Sequence, residues 1–292
     1  MPTVHANHID IAYETFGNPH DPPLVMIIGL VTQMVGWPDP FCQMLARAGR
    51  YVIRFDNRDV GHSSKMESLG VPDLERLTLD ARAGKAVSVP YRLEDMAADT
   101  WGLLDALGIG KASVCGLSMG GMIAQAMALE NPNRIRSLVC MQTTTGETDL
   151  PPATPEAQEA FLTLPPIQRE AYRDHMVEVY AVFGNHSEHM DRDLQRRLLA
   201  SAFDRMWYPI AFSRQMAAVI AAPGRRQRLK SLNVQALVIH GDCDILFPLA
   251  HGQDLAAALD HSELLVVNGL GHGLAYPSLW GEMIDAIVEA TG

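Results

Sequence analysis

Apolar residues fall in short, nearly unbroken runs: Leu24–Gly29 (LVMIIG), Tyr51–Phe55 (YVIRF), Ser113–Gly116 (SVCG), Ile135–Met141 (IRSLVCM), Val234–His240 (VQALVIH) and Glu263–Val267 (ELLVV). Each is short enough for a strand and too continuous for a sheet wetted on one face. Between them the apolar positions recur at helical spacing over Phe41–Ala48, Leu93–Leu107, Met119–Glu130, Leu249–Leu259 and Leu279–Thr291. Buried strands alternating with helices predict an α/β fold with a mostly parallel sheet covered on both faces. Ile9–Thr15 (IDIAYET) alternates apolar and polar residues instead, which suits an antiparallel edge strand.

Two segments break the rhythm. Residues 146–228 open on a Pro-rich stretch (LPPATPEAQ) and then offer helical patterns rich in Met and aromatics, with no strand between them. This predicts a helical cap inserted into a core made of 1–145 and 229–292. Lys65–Pro90 reads as an irregular connection between a strand and its following helix.

Composition narrows the class. The chain has 292 residues, 48% hydrophobic and 20% charged, with a net charge of −11. Such an acidic surface argues against nucleic acid or an anionic membrane as partner. The N-terminal stretch MPTVHANHIDIAYETFG has neither a basic nor an apolar signal segment, and no apolar run is long enough to span a bilayer. The four cysteines, Cys42, Cys115, Cys140 and Cys243, are scattered and read as reduced small hydrophobes. The expectation is a cytoplasmic monomer or homodimer. The pairs His186/His189 and His5/His8 have no further ligands at metal spacing, so no metal is expected.

Candidate chemistry begins at Gly116-Leu117-Ser118-Met119-Gly120. A G-x-S-x-G match is cheap by itself, but this one lies between an apolar strand and an apolar-periodic helix. A sharp strand-to-helix turn there lifts the Ser118 hydroxyl above the strand ends and aims the Met119 N–H at the same point. The setting resembles the α/β-hydrolase family. More narrowly, Gly36-Trp37-Pro38-Asp39, the run from Val52 to Gly61 (VIRFDNRDVG) and the Ser118 motif are similar to the aclacinomycin methylesterase branch.

A serine hydroxyl needs a general base. His272 stands in Asn268-Gly-Leu-Gly-His-Gly-Leu274, after the last strand, where catalytic groups of open α/β sheets gather; the family motif places its base there too. His240 ends a buried strand and reads as packed, and His62, His251 and His261 lack a comparable setting. The base must be oriented by a carboxylate. Asp242 and Asp244 both follow the strand ending at His240, and side-chain parity does not separate two residues that are two apart. The resemblance selects Asp244, because Gly241, Asp244 and Pro248 fit the family pattern Gly-x-x-Asp-x-x-x-Pro. It also implies a second oxyanion donor in the loop after the 24–29 strand. Where many relatives have His-Gly, this chain has Ile28-Gly29, leaving the Leu30 amide to pair with that of Met119.

Asp56–Ser63 resembles the family's second strand-end loop and reads as structural, its charges pairing to fix a turn. Trp37, Met206, Trp207, Tyr208 and Phe212 are candidates for lining a substrate pocket, with packing as the competing reading. The resulting expectation is a cofactor-free serine carboxylesterase acting on small to medium esters. Lactone, C–C bond and perhydrolase chemistry on the same triad remain open, as does a ligand-binding receptor with little turnover.

Overall fold

The computed structural model describes residues 1–292. The strands are β1 (Thr3–Ala6), β2 (Ile9–Phe16), β3 (Pro23–Ile27), β4 (Tyr51–Phe55), β5 (Ala112–Leu117), β6 (Ile135–Met141), β7 (Ala236–Gly241) and β8 (Ser262–Val267). They form one eight-stranded sheet in the order β1-β2-β4-β3-β5-β6-β7-β8. β1 pairs antiparallel with β2, and β2 with β4; every other pairing is parallel.

Core helices are α1 (Asp39–Arg47), α2 (Leu74–Arg82), α3 (Leu93–Ala106) and α4 (Met119–Glu130). Helices α5 (Pro155–Leu162), α6 (Arg169–Phe183), α7 (Arg192–Arg205), α8 (Ala211–Ala221) and the short α9 (Arg226–Leu229) come between β6 and β7; α10 (Ala250–Ala258) and α11 (Trp280–Ala290) complete the chain.

The continuous apolar runs are explained by burial on both sides. In β3, Leu24 and Met26 pack with Phe41 of α1 and Met283 of α11, while Val25 and Ile27 face Met96 of α3 and Ile123 of α4. β8 departs from the expectation of a buried strand. It has β7 as its one neighbour, and of its residues Val267 alone is fully buried while Glu263 and Val266 are exposed, as an edge position allows. Two elements were not anticipated: β1, and α2, which lies in the stretch read as irregular. No helix is long and apolar enough to cross a membrane.

The 146–228 segment sits over the C-terminal strand ends and is tied down at two places. Its first and last residues run side by side as a stalk. The Arg225 amide donates to the Thr145 carbonyl (2.9 Å), and the buried Arg225 guanidinium donates to Gln125 Oε1 (2.9 Å) and the Thr144 carbonyl (3.1 Å). Arg226 reaches Asp149 (2.8 Å) and Asp254 (2.5 Å). At the far side, Arg214 of α8 forms a two-pronged pair with Asp59, both bonds at 2.8 Å, in a site where neither side chain exceeds 1% exposure. Arg205 of α7 pairs with the equally buried Asp56 (2.8 Å). The charges of the Asp56–Ser63 loop therefore pair mainly with other elements rather than within the turn: Arg58 meets Asp99, and Tyr91 donates its hydroxyl to Asp59.

Removing one partner of a buried ion pair leaves an uncompensated charge, at a cost of about 3–5 kcal/mol. Arg214→Met is accordingly expected to lower the free energy of urea unfolding by about that amount. Arg76→Met, which breaks an exposed ion pair on α2, is expected to leave that free energy nearly unchanged in the same assay.

Candidate active site

β5 enters the site through a turn with no spare room. A Cβ on Gly116 would run into the Gly120 carbonyl, and one on Gly120 into the carbonyl of Ile27. With α4 packed this closely on β3 and β5, the chain must turn within one residue. That residue is Ser118, held at φ 57° and ψ −121°. A non-glycine residue there carries strain on the order of 1–3 kcal/mol. The surroundings over-determine it: its amide donates to the Met141 carbonyl (2.9 Å), and its own carbonyl accepts from Thr143 Oγ1 (2.7 Å).

The Ser118 Oγ lies 2.9 Å from His272 Nε2, and His272 Nδ1 lies 2.7 Å from Asp244 Oδ2. Asp244 is 2% exposed and its other oxygen accepts the amides of Leu246 (3.0 Å) and Phe247 (2.8 Å), so the carboxylate cannot swing away. A carboxylate only accepts hydrogen bonds. The imidazole therefore carries its proton on Nδ1, leaving Nε2 free to accept from the serine hydroxyl. Asp242 is exposed and makes a different contact, accepting the Gly269 amide (2.7 Å) at the base of the loop that carries His272. The two aspartates thus divide the work: Asp244 touches the imidazole and Asp242 shapes the loop.

Gln142 is a further support that sequence reasoning missed. Its side chain clamps both backbone groups of Gly273, donating to the carbonyl (3.0 Å) and accepting from the amide (2.6 Å), which fixes the residue next to His272. A glutamine directly after a strand carries no motif, and only the fold brings it to that loop. His240 is fully buried and donates from Nε2 to the Phe247 carbonyl (2.7 Å); its Nδ1 finds no partner, and desolvation holds its pKa below the ordinary histidine range.

The loop after β3 lies against the serine: a Cβ on Gly29 would stand 3.1 Å from Ser118 Cβ. The amides of Leu30 and Met119 flank this point, and neither donates to a protein acceptor. Above the serine is a cavity of about 400 Å³, within the range of small-molecule sites. Met206, Trp207, Tyr208 and Phe212 line it, joined by Phe161 and Leu162 of α5, the Leu164 loop, and Tyr172, Met176, Tyr180 and Phe183 of α6. The α6 residues share one helical face, which is the pattern that could have marked them in the sequence. Trp37 does not line the cavity, contrary to the sequence expectation. It is fully buried on the opposite side of the β3 loop, against Phe41, and its carbonyl accepts from Arg54. No Asp, Glu, Lys or Arg is among the residues around the cavity; His272 is its one titratable nitrogen base.

Residues 22–277 match the family model described as alpha/beta hydrolase fold. The chain belongs to the alpha/beta hydrolase fold family. Within it, the chain is 25% identical to a rhodomycin D methylesterase of Streptomyces sp. (strain C5), over 94% of this chain and 93% of that one. It is 29% identical to a 2-hydroxy-6-oxononadienedioate/2-hydroxy-6-oxononatrienedioate hydrolase of Pseudomonas putida, over 85% and 81%. Among solved structures, a meta-cleavage product hydrolase from Pseudomonas fluorescens IP01 superposes with a TM-score of 0.75 at 21% identity, covering 99% of this chain and 97% of that one. This last likeness concerns the fold.

The strain at Ser118 has a measurable consequence. Ser118→Gly can relax at a left-handed φ and Ser118→Ala cannot. The glycine variant is expected to melt roughly 2 °C above the alanine variant in calorimetry. Equal melting temperatures would mean that the strain relieved does not exceed the unfolded-chain entropy that glycine adds.

Proposed function

We propose that the protein is a serine hydrolase of carboxylic esters, working through an acyl-enzyme on Ser118. The observation that carries this reading is the bonded series Ser118 Oγ–His272 Nε2 and His272 Nδ1–Asp244 Oδ2 at the floor of an apolar cavity. Ser118 attacks the ester carbonyl while His272 takes its proton, and Asp244 stabilises the imidazolium. The Leu30 and Met119 amides, otherwise without acceptors, receive the oxyanion. His272 then protonates the leaving alcohol. It next activates water to cleave the acyl-enzyme, returning the acid and free Ser118. The groups required all belong to the chain, and no cofactor enters the scheme.

The same triad serves lactone and C–C bond hydrolysis, and the cavity lining argues for neutral esters among these. A dioate substrate brings two carboxylates, and burying one without a cation partner costs several kcal/mol. This cavity offers no Lys or Arg to meet them. The likeness to the rhodomycin D methylesterases points the same way.

Ser118→Ala is expected to abolish p-nitrophenyl ester hydrolysis and labelling by a serine-directed phosphonate while the melting transition persists. Asp244→Asn is expected to lower kcat on the order of 10⁴-fold, as loss of the orienting carboxylate can. Asp242→Asn should cost far less. The reverse ranking would refute the assignment, and tight ester binding without turnover in the intact protein would favour a receptor. Matched substrates test the charge argument. A neutral p-nitrophenyl acyl ester should exceed its ω-carboxylate analogue in kcat/KM by at least about 10²-fold, the equivalent of about 2.7 kcal/mol. Parity between the two would overturn it.

A further inference from the structure

The internal hydrogen bonds of the loop that supplies the Leu30 amide both come from Thr32, whose amide donates to the Gly29 carbonyl (3.3 Å) and whose hydroxyl donates to the Leu30 carbonyl (3.1 Å). Val31, a β-branched residue, stands at φ 48°, a conformation that costs such a side chain energy. Its amide donates 2.7 Å to Oε1 of Gln215, a fully buried residue of α8 in the cap. The same glutamine anchors its other end on the core, donating from Nε2 to the Arg58 carbonyl (2.9 Å). On the near side of the loop, Asn57 Nδ2 donates to the Ile28 carbonyl (3.1 Å). The loop is therefore pinned at Ile28 from below and at Val31 from above, with Leu30 between the pins. Gln215 neighbours Arg214, whose pairing with Asp59 seats α8 against the core.

We infer that Gln215 is a positioning residue for catalysis: from the cap, it holds the 28–31 loop in the shape that turns the Leu30 amide toward the reacting carbonyl. The cap thereby does more than cover the substrate, since seating α8 completes the oxyanion site. This inference rests on the Ser118 acyl-transfer reading. Gln215 touches neither substrate nor Ser118 in this role, and its effect passes through the Val31 backbone.

The test is Gln215→Met, close in size but a poor hydrogen-bond acceptor and no donor. With p-nitrophenyl esters, kcat should fall on the order of 10-fold to 100-fold with KM changed less than about twofold, as expected when a transition-state donor is displaced. Affinity for a phenylboronic acid, whose adduct places an oxygen in the same site, should weaken in parallel. Val31→Gly added to Gln215→Met should recover part of kcat, because glycine holds a positive φ without the glutamine's help. A cap that was merely loosened would show a rise in KM and no such recovery. If the methionine variant fails to fold, Gln215→Asn keeps the site polar but falls one methylene short, and the same loss of kcat is expected. Unchanged kcat in a folded variant, or a loss that Val31→Gly leaves untouched, would overturn the inference. Ser118→Ala separates the two claims. Inactive Ser118→Ala beside undiminished Gln215→Met defeats only this inference, whereas an active Ser118→Ala defeats the reading beneath it.

Discussion

The molecule is organised around a close approach of backbones. α4 begins so near to β3 and β5 that positions 116 and 120 have no space for a Cβ, and the chain must reverse within Ser118. The candidate active site is arranged relative to that turn. β7 and β8, running parallel to β5, end on the same side of the sheet, so Asp244 and His272 arrive above it without long excursions. The cost of the strained turn is local, and hydrogen bonds from the neighbouring β6 end offset part of it.

A second set of constraints comes from the cap. Buried charge on the core loop, Asp56 and Asp59, is matched by Arg205 and Arg214 from the insertion. Such pairs contribute little net stability against an apolar alternative, but they are strict about geometry. These pairs seat the insertion on the core, and the cavity lining from α8 and the contact at Val31 come with that seating.

Much of this was legible in the residues. Strands buried on both faces wrote themselves as continuous apolar runs, and Ile135–Met141 and Met119–Glu130 have the boundaries that the pattern suggests. Ser118 was legible because its turn demands glycines, and His272 because it stands in a Gly-rich loop after the last strand. Asp242 and Asp244 were indistinguishable by parity. What separates them is tertiary: residue 244 lies under the imidazole and residue 242 reaches sideways to Gly269. Trp37 was open between cavity lining and packing because an aromatic beside a loop looks the same in sequence either way, and the fold settles it as packing. Gln142 and Gln215 were invisible for a related reason. A single amide side chain has no periodicity, and its value lies wholly in which distant backbone it meets.

The stalk of the insertion bears on traffic. Arg225 and Arg226 bind its two segments to each other and to the core, so the base of the insertion is tied down. The border between cavity and solvent lies instead along the α5–α6 connection. Leu162 and Leu164 line the cavity while remaining 72% and 87% exposed, and Ile167 beside them is 71% exposed. A ligand tail that outgrows the chamber therefore emerges across leucine side chains. Each methylene lying on that sill is still partly shielded from water, so affinity should taper with added length rather than stop at a wall.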